Sequence, residues 1–64
     1  MIVNGETRNV PDGITLEKLM HELSMPFQRV AVELNKSVVP RADWAATTVK
    51  ASDRLEIVHF VGGG

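Results

Sequence analysis

The segment "ITLEKLMHELSM", Ile14 to Met25, carries the only long helical pattern in this chain. Leu16, Leu19, Met20 and Leu23 recur at i, i+3, i+4 and i+7, so they form one apolar stripe on a helix. Thr15 stands where an N-cap is needed, and Glu17 and Lys18 open the solvent face. Ser24 and Pro26 mark the stop, because proline cannot continue the ladder and disfavours helix in the residue before it. One amphipathic helix needs a second layer to cover its stripe. The flanking sequence offers strands for that layer.

Upstream, "MIVNGETRNV" reads as two short β-type runs about Asn4-Gly5, a pair that tolerates the positive φ of a tight primed turn, and the turn chemistry of Pro11 to Gly13 ends the second run. Downstream, Val30, Val32 and Leu34 alternate with Ala31 and Glu33, the period of a half-buried strand. Asn35-Lys36 then turns into a short run, Ser37 to Val39, stopped by Pro40. "RADWAATTV" predicts a short helical turn and irregular chain with Trp44 laid over the core edge, and Ser52 to Arg54 turns into a last strand, "LEIVHF". Hairpin, helix, hairpin, crossover and last strand make an α+β chain in which one helix covers one face of a mixed sheet of four to five strands. That is the ubiquitin-like β-grasp architecture, with the last strand parallel to the first in the middle of the sheet. Residues 1–64 form one domain, of which 61–64 are expected to be a flexible tail.

At 64 residues the core has to be economical, since ordering each residue costs about 1.5 kcal/mol. With 44% hydrophobic and 23% charged residues, the composition is that of a globular domain. Net charge is −1 and the seven Lys and Arg are scattered, so a nucleic-acid partner is not expected. The apolar runs are too short to span a bilayer, and "MIVNGETRNV" lacks the pattern of a secretory signal, so the expected compartment is the cytoplasm. The absence of cysteine removes disulfides, thiolate metal sites, iron–sulfur ligation and a cysteine nucleophile together, and excludes a cluster-binding β-grasp.

Material for catalysis is sparse. His21 falls on the helix and His59 on the last strand, with no H-x-x-x-H spacing, and no metal site is expected. Asp43, Asp53, Glu33 and Glu56 read as turn-formers and solvated strand positions rather than as an acid/base pair. No glycine-rich phosphate loop precedes a helix. The expectation is a protein that is not itself an enzyme.

The last residues, "FVGGG", are different. Terminal glycines alone are an ordinary frayed end. Here an apolar strand runs almost directly into them, so they project from the sheet without a linker. A tail without Cβ atoms can enter a channel that rejects side chains and deliver its main-chain carboxylate into another protein's active site. A carboxylate is a poor electrophile, so it needs activation, most simply by ATP to an acyl-adenylate that a sulfur or nitrogen nucleophile then attacks. In the launching strand, Leu55, Ile57 and His59 share one face, while Arg54, Glu56, Val58 and Phe60 share the other. If Leu55 and Ile57 meet the helix, Val58 and Phe60, with Val61, make an outer apolar patch suited to docking a partner.

The stretch "VAVELNKSVVPRADWAATTVKASDRLEIVHFVGGG", with the "NGE" hairpin, resembles the ThiS family, the sulfur carriers of thiamine biosynthesis, over essentially the whole chain; "VVPRADWA", "DRLEIV" and the final Gly-Gly are the most specific pieces. The resemblance implies a carrier whose C-terminal glycine is adenylated by an E1-like adenylyltransferase using ATP, with no cofactor bound to the carrier. Sulfur from a donor, a cysteine desulfurase or persulfide route, then makes a thiocarboxylate that supplies thiazole synthase. By position, Gly64 is the modified residue and Gly63 its partner in the Gly-Gly motif, while Gly62 is an added spacer; Gly62 and Gly63 give the tail access to the active site. Lys36 and Ser52 stand where the family favours glycine. Two alternatives share the fold: the small subunit of molybdopterin synthase, against which "PRADW" argues, and a ubiquitin-like modifier that Gly64 would join to a lysine. A plain interaction module with an incidental tail is a further reading.

Overall fold

The structure, a computed structural model, describes residues 1–24 and 29–59. Strand β1, Ile2–Val3, and strand β2, Glu6–Thr7, pair antiparallel about Asn4 and Gly5, whose φ angles of 49° and 83° are those of the primed turn expected there. Helix α1, Leu16–Glu22, begins where Thr15 Oγ1 accepts a hydrogen bond from the Lys18 N–H at 3.1 Å, and ends with Leu23 as its C-cap. Leu16, Leu19 and Met20 are fully buried and Leu23 packs beside them, so the stripe is the core face of the helix. Pro26, the expected stop, lies outside the described residues.

Strand β3, Val30–Leu34, and strand β4, Ser37–Val38, form the second hairpin about Asn35 and Lys36, both at positive φ. The expected strand residue Val39 falls just past β4, yet its N–H still donates to the Val32 carbonyl at 2.9 Å before Pro40 ends the run. A 3₁₀ helix, Arg41–Ala46, makes the crossover. Trp44 lies deeper than expected: it is 2% exposed, a member of the core, and its indole N–H donates to the Val39 carbonyl at 3.0 Å. The tight 3₁₀ turn points the ring inward from a segment whose other residues stay exposed. Residues 47–49 then run against 13–16, with Leu16 N–H donating to Thr47 O, Gly13 N–H to Val49 O and Val49 N–H to Ile14 O.

Strand β5, Arg54–His59, completes a five-stranded mixed sheet in the order β2-β1-β5-β3-β4. It pairs parallel with β1 and antiparallel with β3, so the last strand occupies the centre. One sheet face meets α1 through Met1, Val3, Val32, Leu55 and Ile57, closed by Trp44 and Val49; this is the α+β, β-grasp arrangement. Among the described residues no helix is long and apolar enough to cross a membrane.

Candidate functional site

Everything in the fold that bears on the expected tail passes through β5. Leu55 and Ile57 are 1% and 9% exposed and key the strand into the core, while Arg54, Glu56 and Val58 face outward as their alternation demands. Val58 is 51% exposed and sits opposite Ala31, placing one expected docking residue on open surface. Phe60, Val61, Gly62, Gly63 and Gly64 lie outside the described residues.

The two ends of β5 are held by side chains. At its start, Asp53 is 4% exposed, where a solvated turn-former was expected. Its Oδ1 accepts from Asn35 Nδ2 at 3.0 Å and its Oδ2 from the Lys50 N–H at 2.9 Å, with Lys50 Nζ 3.4 Å from Oδ1. Burial raises the Asp53 pKa, but the hydrogen bonds from Asn35 and Lys50 and the Lys50 charge outweigh it and hold the carboxyl below the usual carboxylate range. Asn35 also accepts the Arg54 N–H on its Oδ1 at 3.0 Å, while its own N–H donates to the Arg54 carbonyl at 2.8 Å. The β3–β4 turn is thereby clasped to the entry of β5. Farther along, Asn4 Oδ1 accepts the Ile57 N–H at 2.7 Å.

These contacts organise a strand and offer no acid/base pair. Asp53 is consumed by its partners, and Glu33 and Glu56 stand opposite one another on the outer face. His21 and His59 sit exposed on α1 and at the end of β5, and no group of three His, Cys, Asp or Glu that could hold a metal occurs among the described residues. What this architecture can do is present whatever follows residue 59 from a rigid central strand. The Asn35–Asp53 clasp was missed in sequence because each residue reads locally as a turn-former. The available signal was that neighbouring antiparallel strands bring the end of β3 and the start of β5 to one edge.

Comparison with known proteins agrees with this geometry. The model of the ThiS family matches residues 1–64. The crystal structure of the thiamine biosynthesis protein ThiS from Geobacter metallireducens superposes with a TM-score of 0.86 at 36% identity, covering 98% of this chain and 96% of that one. The sulfur carrier protein ThiS of Escherichia coli is 25% identical over 64 residues, 100% of this chain and 97% of that protein. A thiazole synthase of Paramagnetospirillum magneticum is 44% identical over the same 64 residues; the chain spans only 20% of that protein's length.

Proposed function

This chain belongs to the ThiS family, the sulfur-carrier family of thiamine biosynthesis, and we propose that Gly64 is the residue on which it carries sulfur. The observation that supports this reading is the placement of β5, a central strand fixed on both sides that leads in sequence directly to Phe60, Val61 and three glycines. The carrier supplies no catalytic side chain. Its carboxylate attacks the α-phosphorus of ATP in an E1-like adenylyltransferase, releasing pyrophosphate and leaving an acyl-adenylate. A persulfide sulfur, from a cysteine desulfurase or persulfide route, then attacks the carbonyl carbon and expels AMP, and a second thiol of that route cleaves the S–S bond of the acyl disulfide, becoming a disulfide and releasing the terminal thiocarboxylate. The resulting thiocarboxylate is the sulfur source for a thiazole synthase. That partner is supported by the relative whose single chain combines a segment 44% identical to this one with the name thiazole synthase.

On this reading ATP belongs to the activating enzyme, the carrier is a cosubstrate rather than an enzyme, and the site of action is the cytoplasm. Gly62 and Gly63 let the tail pass a channel too narrow for side chains. Val58, with Phe60 and Val61, gives the partners an apolar grip where the rigid sheet gives way to the tail.

Intact-mass analysis tests the proposal. The chain incubated with adenylating enzyme, ATP and a sulfur donor should gain the mass of sulfur less that of oxygen, and deletion of Gly64 or a residue appended after it should abolish the gain while leaving the melting temperature unchanged. An unmodified wild-type mass in the presence of demonstrably active enzyme would sink the carrier reading. A ladder of heavier adducts would instead identify a conjugated modifier.

A further inference from the structure

Strand β5 is paired along its whole length on one side and only over its first two residues, Arg54 and Leu55, on the other. On the β3 side the register runs from Leu34↔Leu55 to Val30↔His59. On the β1 side it stops at Val3↔Leu55, because the chain turns away at Asn4-Gly5. The main-chain groups that face β1 are fixed by alternation: Ile2 N–H donates to Asp53 O, and Asn4 N–H donates to Leu55 O. Ile57 and His59 therefore turn their backbone groups to the same side. The Ile57 N–H is taken by Asn4 Oδ1 at 2.7 Å, the last contact before the hairpin departs. Beyond it, the Ile57 carbonyl and the His59 N–H meet no hydrogen-bonding group of a described residue.

An edge of alternating main-chain acceptor and donor is complemented by another extended main chain, the recognition mode in which a peptide adds a strand to a sheet. We infer that this notch beyond Asn4 receives an extended segment of the adenylating enzyme, which pairs with Ile57 and His59 in line with β1. The inference rests on the carrier reading, because the occupant is identified by continuity: the next residues of β5 lead to Gly64, so an enzyme that takes the tail already lies alongside residues 57–59. Asn4 sets the register by occupying the Ile57 donor. The enzyme strand therefore begins at the Ile57 carbonyl and reaches the His59 N–H.

Two measurements test the notch. Amide exchange of the wild-type chain with and without the adenylating enzyme should show the His59 N–H newly protected in the complex. His59→Pro removes that donor, and the β3 ladder is untouched because this N–H faces the other way. It should weaken binding to the enzyme by roughly five- to tenfold, the worth of one hydrogen bond, with the melting temperature held. If wild type is adenylated while His59 exchanges as fast in the complex as in the free chain, the notch is overturned and the carrier reading stands; equal affinity of a folded His59→Pro and wild type overturns the notch in the same way. Should His59→Pro fail to fold, the exchange measurement alone decides. A wild-type chain that neither binds nor is adenylated overturns both.

Discussion

Asn35 and Asp53 lie 18 residues apart in sequence, and Asn35 Nδ2 donates to Asp53 Oδ1 at 3.0 Å, joining the second hairpin turn to the entry of the central strand. Replacing Asp53 by Ala strands the Lys50 N–H and the Asn35 amide and should cost about 2 kcal/mol in denaturant unfolding. The folded-state pKa of Asp53 is depressed, so its ionised form contributes stability at any pH above the unfolded value of about 4, and that contribution is lost as the pH falls through the folded value. The stability gap between wild type and Asp53→Ala should therefore be full at neutral pH and narrow as the pH falls below roughly 4. A gap between them that stays constant into strong acid would contradict this account of the clasp.

Lys36 holds φ at 71°, a left-handed conformation that costs an L-residue roughly 1 kcal/mol and glycine almost nothing. Lys36→Gly should stabilise the chain by up to about 1 kcal/mol, less what glycine adds to the entropy of the unfolded state, and raise the melting temperature by a few degrees. The turn adjoins Arg54, at the opposite end of β5 from His59, so sulfur loading should be unchanged.

Trp44 is the one tryptophan and sits in the core with its N–H on the Val39 carbonyl. Trp44→Ala should cost about 3–5 kcal/mol, comparable with the whole stability of a domain this small, and leave far-ultraviolet circular dichroism largely that of an unfolded chain. Trp44→Phe keeps most of the packing and loses the hydrogen bond, for a cost of about 1–2 kcal/mol.

Val58 is half exposed on the outer face, so Val58→Lys should alter stability by no more than about 0.5 kcal/mol. If the outer patch docks the adenylating enzyme, the same change should raise the KM for the carrier while leaving kcat at saturation nearly intact. An unaltered KM would remove Val58 from the docking surface.

The local signals in this sequence carried most of the fold. Asn4-Gly5 and Asn35-Lys36 specify primed turns by the φ values those residues tolerate, and the stripe from Leu16 to Leu23 specifies a helix with one buried face. Burial of Asp53 and the depth of Trp44 were not legible, because both depend on which segments become neighbours: Asp53 is enclosed only once β3 lies beside β5, and Trp44 only once the crossover closes over the core. The site divides the same way. Val58 is recognisable from alternation alone, whereas the anchoring of Ile57 by Asn4 spans 53 residues and has no local signature. The expectation for Gly62 to Gly64 rests on their composition and their place after an apolar strand, and these residues lie outside the described ones.

The parallel pairing of β1 with β5 also has a mechanical meaning. A pull on the chain beyond His59 acts along β5 while β1 and β3 hold it from both flanks. The bonds from Ile2, Asn4 and Asn35 lie across that direction, so they are loaded together in shear instead of being peeled one at a time. The β-grasp core can thus act as a grip that stays shut under tension, leaving the end of the chain to be drawn without unravelling the sheet behind it.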